Sequence, residues 1–173
     1  MRWFIKALIA SPWVFQSIPA AQASPSQKCL GSETSITIDL DRSRLHLCEE
    51  GISRKQYRVA LGQKGIAKRK RGDKKTPTGT YRLGTGRHSP KYHRFIPVGY
   101  PTSSQRAQGY TGSAIGIHGP KRNFRWLGPL GTMANWTLGC IAVSTDPQIE
   151  EIEAWAKEKR VRSVHLIGKH PKP

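Results

Sequence analysis

The sequence predicts a mainly β domain on three observations: short segments with strand-like alternation, glycine- and proline-marked turns between them, and a single stretch with helical periodicity. At 173 residues, 36% apolar and with 17 glycines, the chain has room for one domain with its own core.

Taken in order, residues 1–23 read as an export signal. Arg2 and Lys6 lie at the start of the apolar stretch Phe4 to Val14, and Ala21-Gln22-Ala23 offers small residues for cleavage. The stretch is shorter than the roughly 20 residues that span a bilayer, and no later segment is longer, so no transmembrane segment is expected in the mature chain. A polar lead covers 24–33. Ile36, Ile38 and Leu40 alternate with polar residues, and Leu45 and Leu47 resume that period beyond residues 41–44, which predicts a hairpin. Gly51 turns the chain toward a third strand, Tyr57 to Leu61, ending at Gly62. Thr76-Pro77-Thr78-Gly79 has turn chemistry ahead of a strand beginning with Tyr81 and Leu83. Residues 84–114, rich in Gly, Pro, Ser and Thr, read as a long irregular binding loop or lid. Ile115-Gly116-Ile117 is a short strand that delivers His118. The predicted helix starts near Thr145, with Thr145 or Asp146 as cap, Pro147 in the first turn, and Ile149, Ile152, Trp155 and Ala156 as its apolar stripe. Val161 to Ile167 is the last strand, and 169–173 form a basic tail.

The formal charge is +18, and +16 without residues 1–23, a bias toward anionic surroundings. The densest basic run, Lys64 to Lys75, lacks the interleaved aromatics of a base-stacking surface, so nucleic acid is not the expected partner; acidic wall polymers or lipid head groups are. Three cysteines in an oxidising compartment leave one thiol over after any single bridge. Cys29 and Cys48 flank the first hairpin and are the favoured pair, subject to a Cα geometry that spacing does not fix.

A thiol becomes a nucleophile when a neighbouring base takes its proton. Alone, Cys140 reads as a small buried apolar residue and His118 as a structural histidine; together, at strand–loop junctions, they read as nucleophile and base. Gly139 allows a sharp turn that projects the sulfur. His46, His88, His93, His165 and His170 show no metal-ligand spacing.

Three motifs carry a family resemblance: Asp73-Lys74-Lys75-Thr76-Pro77-Thr78-Gly79-Thr80-Tyr81, Ile117-His118-Gly119, and Thr137-Leu138-Gly139-Cys140. Across residues 34–168 the chain resembles the L,D-transpeptidase (YkuD-type) catalytic domain, in the form with a Thr-x-Gly-Cys nucleophile turn. The commonest form of that turn has His where this chain has Leu138 and Asn or Arg where it has Ala142. The resemblance implies a β-sandwich with one helix after the nucleophile turn and a long irregular loop. It implies that Cys140 attacks a carbonyl, His118 accepts its proton, the Gly119 carbonyl orients the imidazole, and the Gly139 and Cys140 amides stabilise the oxyanion. The implied substrate is a peptidoglycan stem peptide in the periplasm or cell envelope, with an amine of another stem or a lipoprotein as acceptor, and no metal or cofactor. Tyr100, Trp136 and Thr137 are candidates to line the substrate groove, and Arg122, with Arg125, to hold substrate carboxylates. Resolution of the thioester by water would make the chain a carboxypeptidase or endopeptidase. An inert Cys140 on a basic surface would make it a wall-binding module.

Overall fold

Ile36 and Ile38 face Leu47 and Leu45 across an antiparallel ladder, and this hairpin organises the larger of two sheets. The computed structural model describes residues 29–169; the expected signal segment, part of the polar lead and nearly all of the basic tail lie outside them. The strands are β1 (Ser35–Asp39), β2 (Arg44–Glu49), β3 (Ile52–Arg58), β4 (Gly79–Arg82), β5 (Arg87–Ser89), β6 (His93–Pro97), β7 (Gly116–His118), β8 (Ile141–Ala142) and β9 (Ser163–Ile167). The first sheet has the order β3-β2-β1-β9-β4 and the second β5-β6-β7-β8. Every residue of β1 is buried, because it lies between antiparallel β2 and parallel β9. Cys29 and Cys48 form a disulfide with Cα atoms 5.8 Å apart, the pairing favoured from sequence.

The mainly β reading holds, with two sheets around one apolar core that includes Ile36, Ile38, Ile117 and Ile141. The expected helix is α2 (Asp146–Glu158); its Ile149, Ile152 and Ala156 are buried. Thr145 occupies the N-cap position without a side-chain bond. Gln148 Oε1 instead accepts from the Ser144 amide and hydroxyl. Arg94 of β6 pairs with Glu153 of α2, fixing the helix against the second sheet. Among the described residues no helix is long and apolar enough to cross a membrane.

Three local expectations change. Residues 84–114 are not one irregular loop: they hold β5, β6 and a short helix, α1 (Ser103–Ala107), closed by a Thr102–Gln105 capping box. Residues 122–132 form a 3-10 segment broken at Gly128, so α2 is not the one helical element. The third strand ends at Arg58 rather than running from Tyr57 to Leu61. Val59 to Gln63 leave the first sheet to brace the second, with reciprocal Ala60–Ala142 amide bonds of 2.8 and 2.9 Å.

Candidate active site

β7 and β8 run parallel, with Ile117 beside Ile141 and His118 beside Ala142. One step back in that register Cys140, the residue preceding β8, falls at Gly116, two residues from His118 at the end of β7. Cys140 and His118 both line one cleft of about 680 Å³ together with Tyr92, Ala114, Thr137 and Leu138.

The nucleophile turn is held from several sides. Gly139 has φ +128°, and a Cβ there would lie 2.6 Å from the Lys75 carbonyl oxygen, so both backbone shape and space demand glycine. Thr137 Oγ1 donates to the Cys140 carbonyl (2.7 Å) and accepts from the Gly139 amide (3.0 Å). Behind it, the Thr137 amide donates to the Leu61 carbonyl, and the Gln63 amide to that of Thr137. Thr137 therefore lines the cleft with its hydroxyl already committed to shaping the turn. The Gly139 amide, one of the two expected oxyanion donors, is thus bonded inside the turn to Thr137 Oγ1.

His118 is almost fully buried. Its Nδ1 lies 2.6 Å from the Gly119 carbonyl oxygen. A carbonyl only accepts, so Nδ1 carries the proton and Nε2 presents a lone pair. Tyr92 stacks on the imidazole with centroids 3.9 Å apart and planes 21° off parallel, fixing the ring's orientation. Burial pushes the imidazole down to about 4, against a rise from the Gly119 bond and with a further drop from Lys91. Burial pushes the Cys140 thiol up, opposed by a hydrogen bond from the Gly116 backbone and by the charges of Lys68 and Lys91. Sγ itself donates to the Ala114 carbonyl at 3.3 Å. The resting pair is a neutral thiol and a neutral imidazole, suited to moving the proton during attack rather than before it.

The basic run contributes one wall. Lys68, buried, donates to Asp73 Oδ1 (2.6 Å) and to the Lys70 carbonyl. Asp73 also accepts from the amides of Arg69, Lys70 and Lys75. Burial alone would raise the Asp73 carboxyl, but Lys68 and these amides bring it down to about 2. The loop is thus an ordered scaffold rather than a loose solvated run, and Arg71 and Lys74 reach the cleft with Arg87 and Lys91.

Four expected substrate contacts sit elsewhere. Tyr100 is core: it packs edge-on against Tyr81 and donates to the Lys68 carbonyl (3.3 Å), supporting the basic loop from behind. Arg122 starts the 3-10 segment and is not among the cleft-lining residues; its amide donates to the Lys91 carbonyl. Arg125 is held by Asp146 at 2.6 Å. Trp136 tilts over His118 at 5.8 Å, but it lines a neighbouring apolar groove and donates to the Gly131 carbonyl. Sequence reading missed Tyr92, Lys91 and Ala114. They are close to His118 and Cys140 only through the β6–β7 pairing and the backbone that leads into β7, and no spacing rule signals them.

Comparison with known proteins agrees with this geometry. Residues 33–165 match the family model described as the L,D-transpeptidase catalytic domain, YkuD. The fold is similar to the helical cell shape determining protein Pgp2 from Campylobacter jejuni, with TM-score 0.64, 25% identity, and coverage of 78% of this chain and 47% of that one. It is also similar to Bdellovibrio bacteriovorus Bd1075, with TM-score 0.55, 20% identity, and coverage of 83% and 52%, a likeness of fold alone. A stretch of 66 residues is 33% identical to Escherichia coli (strain K12) YafK, covering 36% of this chain and 27% of that protein. The chain thus spans about half the length of these two structures and about a quarter of YafK. With the match running through both sheets and both residues of the cleft pair, the chain belongs to the L,D-transpeptidase catalytic domain (YkuD) family.

Proposed function

We propose that this chain is an exported cell-envelope L,D-transpeptidase that forms or remodels peptidoglycan stem-peptide links through a Cys140 thioester. The observation that carries the reading is the shared cleft of Cys140 and His118, with the imidazole locked so that Nε2 is its free basic nitrogen. Sγ attacks the carbonyl preceding the stem's terminal D-residue while its proton passes to His118 Nε2. The Cys140 amide supports the oxyanion, the C–N bond breaks, and the imidazolium protonates the departing amine. An acceptor amine, on another stem or on a lipoprotein, then attacks the thioester, gives its proton to Nε2, and releases the thiolate for reprotonation.

The cationic rim of Arg71, Lys74, Arg87 and Lys91 suits a carboxylate-bearing peptide. The Cys29–Cys48 disulfide suits an oxidising compartment such as the periplasm. Mass spectrometry of muropeptides after incubation with tetrapeptide-bearing peptidoglycan tests the reading, with Cys140→Ala as control. New cross-links or exchanged terminal D-amino acids that require Cys140 support it. Trimmed stems or opened links without exchange make the chain a hydrolase, and no change with either protein favours a wall-binding module.

A further inference from the structure

Among the described residues, seven large apolar side chains are exposed, and five of them, Phe124, Trp126, Leu130, Met133 and Leu138, fall on one stretch. Such clustering is not the scatter of single apolar residues that any surface carries. Trp126 is 79% exposed and Met133 65%. The stretch is not loose. The Arg122 amide donates to the Lys91 carbonyl, Arg125 pairs with Asp146, Arg58 Nε donates to the Thr132 carbonyl, and Trp136 Nε1 donates to that of Gly131. The apolar side chains are therefore presented on a fixed backbone, with little ordering left to lose on contact. Lys121 lies over the Phe124 ring at 5.2 Å, Arg122 is exposed beside it, and the carboxylate of Asp146 is already neutralised by Arg125.

We propose that the stretch Lys121–Leu138 is a docking surface for an anionic lipid bilayer. Charge complementarity singles out that occupant. An anionic polymer would satisfy Lys121 and Arg122 but leave Trp126, Leu130 and Met133 in water, whereas an anionic leaflet offers phosphates to the cations and acyl chains to the apolar residues. The amphipathic ring of Trp126 suits the headgroup level, with Phe124 and Leu130 toward the acyl boundary. Because Leu138 also lines the catalytic cleft, docking would set the mouth of the cleft at the membrane face.

The test uses the full chain with vesicles of equimolar phosphatidylglycerol and phosphatidylcholine carrying brominated acyl chains. The difference in emission between wild type and Trp126→Phe isolates Trp126 from the other tryptophans, and from any attachment made by residues 1–23. The expected result is Trp126 emission quenched at least about two-fold by the brominated chains. With about 1 kcal/mol for each basic residue near such a surface, Lys121→Gln and Arg122→Gln should each weaken binding about five-fold. Unquenched Trp126 on vesicle-bound protein would overturn the proposal, reducing the association to bulk charge or the N-terminal stretch. Equal quenching on pure phosphatidylcholine would overturn the anionic requirement, and saturable capture of a protein in place of vesicles would reassign the surface.

Discussion

The two sheets are built from similar apolar residues but are put to different uses. In the first, β1 is buried throughout and paired on both sides, and β2 is tied by the disulfide to the segment ahead of β1. In the second, β7 and β8 are three and two residues long, and both reactive groups sit where these strands meet loops. Long registers in the first sheet spread stability over many contacts. Short strands in the second end the ladder early, so His118 and Cys140 meet a cleft instead of further pairing. The candidate pair flanks the two ends of a short parallel strand pair that Val59 to Gln63 brace from outside, rather than lying within a long ladder.

Four experiments would break or sharpen that contrast. The largest effect belongs to the second sheet. Cys140→Ala should cut acyl transfer by ~10⁴-fold or more, and His118→Gln by ~10²- to 10⁴-fold, in an acyl-exchange assay, with thermal midpoints nearly unchanged. In the first sheet the pattern reverses. Ile38→Ala should cost about 3 kcal/mol in denaturant unfolding while leaving the rate of thiol labelling at Cys140 in folded protein as it was.

A pH series reads His118 directly. Its folded value, about 4, lies below the ordinary 6.5, so between these two the unfolded chain binds a proton that the folded chain does not. Stability from this group is complete above about pH 6.5 and drains away as pH falls toward 4, by roughly 3 kcal/mol. His118→Gln should flatten that part of the slope, and wild-type kcat/KM should fall only as pH drops through about 4. A slope unchanged in His118→Gln would show that the histidine is not held neutral. The smallest effect belongs to the disulfide. Cys48→Ser, opening a link between residues 19 apart, should cost about 3 kcal/mol or less and leave thioester formation intact. Loss of acylation in folded Cys48→Ser would couple the sheets more tightly than this account allows.

Much of the first sheet was legible in sequence because Ile36, Ile38, Leu45 and Leu47 alternate as a half-exposed surface would, and α2 because Ile149, Ile152 and Ala156 keep helical spacing. β3 was misplaced because it is an edge strand whose Arg54, Lys55 and Gln56 face solvent and carry no apolar period. β5 and β6 were hidden for a related reason: Arg87–Ser89 has no apolar residue, and β6 begins at His93 with φ +63°. At the site, local chemistry made Cys140, His118 and Gly139 readable. The committed state of the Gly139 amide, the core position of Tyr100 and the stacking of Tyr92 depend on contacts between distant segments, which no local pattern encodes.

The central claim, that Cys140 is acylated with neutral His118 as its base, is tested most directly by intact-protein mass spectrometry of the full chain mixed with a stem tetrapeptide donor from about pH 5 to 8. The account predicts a covalent adduct on Cys140 equal to the donor minus its terminal D-residue, absent in Cys140→Ala and formed far more slowly in His118→Gln. No adduct at saturating donor, or an adduct that persists in Cys140→Ala, would contradict it.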